Sequence, residues 1–200
     1  MNISNFSLQL TGLLAILGAF LYAVGDVMLL AGKVNLDEYP KLKPFAKLLS
    51  DAERMAALSP ARMMGGALVG VFSTPLILVG FWLTYQGLAA SGSVLAPVTA
   101  LLFGFASVVG AFVHGSFFYM GEYAHALNQV DESSQPVIAD MIARHRKVLL
   151  ITYVPLMLAA TLASILFSIL VAQGGTSFPI WMAAVNRSEE HTSELQSRFG

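Results

Sequence analysis

Apolar residues fill four long stretches of the chain, and polar residues gather in the gaps between them. The first stretch runs from about Leu8 to Ala31 (LQLTGLLAILGAFLYAVGDVMLLA) and is interrupted only by Asp26. The second covers about residues 63–90. The third runs from Val94 to Tyr119 and continues as helix through His125, so it is taken as 94–125. The fourth covers about 148–172, with a kink expected at Pro155. Each is long enough for a helix to cross the hydrocarbon core, which needs about 20 apolar residues. A fifth apolar run starts at Ser177 (SFPIWMAAVN, residues 177–186). It is too short to span, so the expectation is a truncated fifth crossing and a longer natural chain. The pattern predicts an all-α polytopic transmembrane helix bundle over residues 1–186. The first stretch is read as a retained helix, because it is too long for a signal peptide and lacks a basic leader.

Local signals support these elements. Ser59-Pro60 reads as an N-cap followed by proline at the first helical position, and Ser134, Gln135 and Pro136 predict the opening of a short helix. Small residues recur where helices would touch: Gly18 and Gly25, then Gly66, Gly70 and Thr74, then Gly104 and Ala111. Between the first two spans, Lys43–Leu49 and Asp51–Leu58 alternate apolar and charged residues at helical spacing. They read either as interfacial helices contacting lipid or a partner, or as a packed connector whose lysines reach anionic headgroups.

Composition narrows the class further. Of 200 residues, 56% are hydrophobic and 12% charged, and mean hydropathy is +0.69. Soluble domains carry about 25% charge, so a soluble fold would expose large apolar patches. The absence of cysteine excludes disulfides, thiolate metal sites and cysteine nucleophiles. A net charge of -1 gives no electrostatic case for nucleic acid. The lipid bilayer is therefore the expected partner, no nucleic acid is expected, and a small-molecule ligand or a homo-oligomer is left open. Arg187–Gly200 (RSEEHTSELQSRFG) departs sharply from the rest. RSEEHTSELQSR closely resembles the in-frame translation of a common sequencing adapter, so 187–200 is treated as an artefactual tail.

Charge placement predicts orientation. Outside that tail, all nine cationic side chains fall in two places: Lys33, Lys41, Lys43, Lys47, Arg54 and Arg62, then Arg144, Arg146 and Lys147. The positive-inside rule puts loops 32–62 and 126–147 in the cytoplasm and the N-terminus outside, in a bacterial inner membrane. Trp82, Tyr85, Phe178 and Trp181 read as interfacial aromatic anchors.

Ionisable groups inside spans cost about 2.5–3.5 kcal/mol each on insertion scales, which makes them candidates for function. Here they are Asp26 in the first span and His114, Glu122 and His125 in or beyond the third. On one helix His114, Gly121, Glu122 and His125 share a stripe, with Gly121 leaving a gap for a substrate or a neighbouring helix. Asp26, Glu122 and His125 are expected at similar depth near the cytoplasmic ends, with Tyr22 one turn before Asp26 and able to donate to it. Three readings follow. Asp26 and His125 or His114 form a buried polar lock between helices. Or Asp26, Glu122 and His125 hold a single divalent metal in a membrane-embedded, hydrolase-like enzyme. Or the cluster is a proton or small-molecule pathway of a transporter. Glu122-x-x-His125 has the spacing of di-iron bundles, but the second motif they need is absent. His145, between Arg144 and Arg146, reads as a solvated loop residue.

Three segments carry a resemblance: Tyr22-Ala-Val-Gly-Asp26, Gly70-Val-Phe-Ser-Thr-Pro75 and His114-Gly-Ser-Phe-Phe-Tyr-Met-Gly-Glu122. Together they resemble an uncharacterised bacterial multi-pass membrane family, a domain of unknown function. The resemblance implies six or more spans in the natural chain and brings no activity, cofactor or catalytic assignment. Membrane hydrolases of the ceramidase and adiponectin-receptor type also use Asp and His at cytoplasmic helix ends, but their paired His-x-x-x-His is missing here. The expected function is an integral membrane protein of unknown activity whose Asp/His/Glu cluster is a structural lock or a small buried site.

Overall fold

The structure is a computed structural model that describes residues 5–50 and 52–185. The tail assigned to 187–200 lies outside the described residues. All regular structure among the described residues is helical. Four long helices carry it: α1 (Asn5–Leu30), α3 (Pro60–Ala89), α4 (Leu95–Gln129) and α5 (Gln135–Gln173). The one-turn helices α2 (Ala46–Leu49) and α6 (Met182–Val185) and two 3-10 segments, Pro40–Phe45 and Ala52–Ala57, complete the order. Ser59 starts α3 as its sequence suggests, its hydroxyl accepting from the Arg62 N–H at 3.3 Å. The Ser134–Pro136 signal opens α5 itself. The expected short helix and fourth span are one continuous helix, because no breaker separates Pro136 from Val148.

All four long helices are long and apolar enough to cross a membrane. In none of them is more than 28% of the most apolar window buried inside the structure. On α1, Leu13, Ile16, Phe20 and Val27 are all at least 60% exposed and follow a helical stripe. Such a stripe in water would be a large apolar patch, whereas a membrane-embedded protein presents it to acyl chains.

The chain divides into two compact units, each considered by itself. Among the described residues, the first comprises 5–18, 75–109 and 154–185. Within it, α1 and α3 approach closely: a Cβ on Gly18 would sit 2.7 Å from the Leu76 Cβ. Phe81 and Phe103 stack at 4.7 Å. Gly174 and Gly175 both take positive φ, which lets the chain turn back after α5. The Ser177 N–H then donates to the Gly87 carbonyl at 2.9 Å. Phe178 lies over Gly87 and against Phe167, with ring centroids 5.1 Å apart. Phe178 thus packs within this unit, while Trp181 is 60% exposed.

The second unit comprises residues 19–74 and 110–153. Its core unites the connector with the helices. Leu42, Leu49, Met55 and Leu58 are buried together with Leu29, Met63, Met120, Ala124, Leu127 and Ile142. Each of the buried Leu, Ile and Met side chains contributes about 1.5–3 kcal/mol on burial, so the connector is part of the fold and not a strip lying on the lipid.

Cationic side chains staple this unit through backbone carbonyls. Arg62 donates to the Met28 and Val27 carbonyls at the end of α1, at 3.0 and 3.3 Å. Arg146 donates to Leu48 and Lys47 carbonyls at the end of α2, at 2.9 and 3.2 Å. Lys41 donates to the Val130 carbonyl just past α4, at 2.8 Å. Helix C-termini leave carbonyls unpaired and carry partial negative charge, so cations there satisfy both needs. Outside the long helices, Lys43 donates to Asp37 at 2.5 Å and holds that carboxyl below its usual range. The Ser134 and Ser133 hydroxyls do the same for Asp131 ahead of α5. Arg62→Met should lower the unfolding midpoint by the equivalent of about 1 kcal/mol. Thermal unfolding in detergent checks this, with Lys33→Met as the control that touches no helix end.

Candidate functional site

His114 on α4 is the most buried ionisable group of the predicted cluster, at 3% exposure. Its Nδ1 lies 3.1 Å from the Asp26 Oδ1 on α1. Its Nε2 lies 3.1 Å from the Gly66 carbonyl oxygen on α3 and donates to it, since a carbonyl can only accept. One imidazole therefore ties three helices together. Tyr22, one turn before Asp26, packs its ring against the imidazole with centroids 4.8 Å apart. The Asp26 side chain is 46% exposed, so the pair has a buried end and an open end.

Three glycines make the slot. A Cβ on Gly70 would fall 2.0 Å from the His114 Nε2. A Cβ on Gly25 would lie 2.8 Å from the Gly66 carbonyl and 3.1 Å from the same nitrogen. Below Gly70, the buried Ser73 hydroxyl donates to the Gly70 carbonyl at 2.7 Å. The sequence singled out Gly25, Gly66 and Gly70 only as close-packing positions. Their role around the imidazole carried one signal, that Gly25 directly precedes Asp26 and that Gly66 and Gly70 share a helix face.

The other predicted members are elsewhere. His125 donates from Nε2 to the Met55 carbonyl of the connector at 3.2 Å. A buried oxygen of Glu122, Oε1, has no hydrogen-bond partner among the described residues. The gap at Gly121 admits a neighbouring helix, as one of the two expectations had it: a Cβ there would meet the Met63 sulfur of α3 at 2.3 Å and Met55 of the connector at 3.2 Å. Among the described residues no group of three or more His, Asp or Glu is placed to hold a metal. Asp26, Glu122 and His125 are thus not brought together as a metal set.

The reason is an overhang. Asp26 lies four residues before the end of α1, and His114 lies fifteen before the end of α4. Since α1 and α4 run in the same sense, α4 projects beyond α1 by about 16 Å at 1.5 Å per residue. Helices with level ends would place Asp26 beside Glu122 and His125. The connector, with Met55, covers the projecting part instead. His145 also departs from expectation: it is no solvated loop residue but sits in α5 against Tyr123 and Tyr119, with centroids 5.6 and 6.1 Å away.

A family model matches residues 1–187 of the chain. The chain belongs to the family of unknown function DUF6796. No curated protein and no solved structure matches it. For this DUF6796 member, the Asp26–His114 pair and its glycine slot are therefore described from the chain's own geometry.

Proposed function

We propose that this DUF6796 protein is a polytopic bacterial inner-membrane protein in which Asp26, His114 and the Gly66 carbonyl form a structural polar lock. Four helices cross the bilayer, with the N-terminus outside and loops 32–62 and 126–147 in the cytoplasm. The observation that carries the lock is that one buried imidazole is hydrogen-bonded to the Gly66 carbonyl of α3 and lies 3.1 Å from the Asp26 carboxylate of α1. An unpaired polar group at this depth costs about 1–3 kcal/mol. The lock removes that cost and sets how α1, α3 and α4 meet. The nine cations of the two loops support the orientation, and three of them also cap helix ends.

A double-mutant cycle tests the lock. Asp26→Leu and His114→Phe should each reduce the folded fraction in detergent. The double variant should lose clearly less than the two single losses added. Strict additivity would overturn the lock. Orientation is tested separately, using the absence of native cysteine. A membrane-impermeant thiol reagent applied to intact cells should label Val94→Cys and leave Lys33→Cys and Glu132→Cys unlabelled until the cells are opened. The reverse pattern would invert the topology.

A further inference from the structure

Where α5 passes from its charged start into its apolar stretch, Lys47 of α2 meets the neighbourhood of Arg146 and Lys147. Arg146 brings the two segments together. Its Nη1 donates to the Lys47 and Leu48 carbonyls at 3.2 and 2.9 Å, although Lys47 lies 99 residues away in the chain. A guanidinium carries five N–H donors, and only two of them are on Nη1. Both contacts use Nη1, so the donors on Nε and Nη2 meet no acceptor among the described residues. The side chains of Lys47 and Lys147 are exposed, and neither ammonium meets a carboxylate among the described residues. Lys43 and Arg144, by contrast, face Asp37 and Asp140.

Immediately beyond these cations, Val148, Leu150 and Ile151 of α5 are apolar and exposed. Lys147, Leu150 and Ile151 share one face of the helix, being three and four residues apart. A ligand matched to this edge joins an anion to hydrocarbon. Resting on the reading of α5 as a bilayer-crossing helix, we propose that Lys47, Arg146 and Lys147 form a binding site for the headgroup of an anionic phospholipid. Phosphate oxygens take the free edge of the Arg146 fork, which suits planar, two-point recognition of phosphate. The acyl chains lie along Leu150 and Ile151. The bonds to α2 hold the guanidinium in place beforehand, so less side-chain freedom is lost on binding than for a free cation. A zwitterionic lipid offers the same phosphate but carries its own cationic group, which the two lysines repel. The site therefore selects a lipid of net negative charge.

Native mass spectrometry of the full chain in detergent, titrated with phosphatidylglycerol or with phosphatidylcholine of the same acyl chains, tests this. The wild type should bind one phosphatidylglycerol more tightly than it binds phosphatidylcholine. Lys47→Gln combined with Lys147→Gln should weaken that binding about tenfold, because each cation near the anionic group supplies part of the attraction. Lys47→Arg combined with Lys147→Arg should retain it. Lys33→Gln combined with Lys43→Gln removes the same charge from elsewhere in the connector and should leave the affinity near wild type. Equal losses in the two glutamine pairs would mean attraction by net charge alone and would overturn the site. So would equal affinity of the wild type for the two lipids. Release of the bound lipid by inorganic phosphate would make the occupant a soluble anion and would also overturn it. If the Lys47→Gln, Lys147→Gln protein does not fold, the selectivity of the wild type and of the arginine pair decides. Failure of the membrane reading shows separately, as a chain that does not float with phosphatidylcholine liposomes.

Discussion

Gly70→Ala should cause a large loss of folded protein, since it has the shortest approach given for a Cβ at any of the described glycines. The new Cβ would fall 2.0 Å from the His114 Nε2, well inside contact distance, and the imidazole is held on its other side by Asp26 and Tyr22. The ring can escape only by giving up the Gly66 carbonyl and the Asp26 carboxyl. Overpacking of a filled site costs about 1–3 kcal/mol, and stranding a buried polar ring adds about 1–3 kcal/mol. The sum is a large part of the stability of a typical domain, about 5–15 kcal/mol. Monodisperse yield by size-exclusion chromatography in detergent and the thermal midpoint read the effect. The specific mark is rescue. In a His114→Ala background the Gly70→Ala change should add little, because the atoms it strikes are gone. Equal damage in both backgrounds would mean that the slot is not filled by His114. Gly12→Ala is the internal control, since a Cβ there meets nothing within 4 Å.

Met55→Ala should be the second large effect, and it acts far from the lock. Met55 is 1% exposed and fills the space beside Gly121 and Met63. Removing a buried methionine side chain costs about 2–5 kcal/mol, depending on how far the cavity collapses. Limited proteolysis should show the effect first as faster cleavage between residues 31 and 59, followed by a lower midpoint. Met64→Ala, at a position 51% exposed on α3, should leave both readings near wild type. A connector that only rested on lipid would show no difference between the two variants.

These variants also mark where one-dimensional reading runs out. His114 was legible as a candidate because an imidazole in an apolar helix is rare and costly. Its partner Asp26 was legible for the same reason. The pairing was not, because hydropathy reports that a helix crosses but not how far one helix slides past another. A level-ended bundle placed Asp26 beside Glu122 and His125. The observed overhang of α4 raised His114 to meet it and left the other two under the connector. Met55 was legible only as one apolar position at helical spacing within Asp51–Leu58, and Arg62 only as one of the cations, since neither spacing nor charge tells what a side chain packs on or caps.

Four apolar runs, their polar gaps and the gathering of cations in two of those gaps follow from the order of residues alone, because the suitability of a segment for hydrocarbon is decided by the local composition of about 20 consecutive positions. Which imidazole nitrogen meets which oxygen, and which glycine leaves room for it, depends on axial offsets and helix faces that only packing in three dimensions sets. The tertiary structure therefore chose His114, Asp26 and the Gly66 carbonyl out of a longer set of polar candidates.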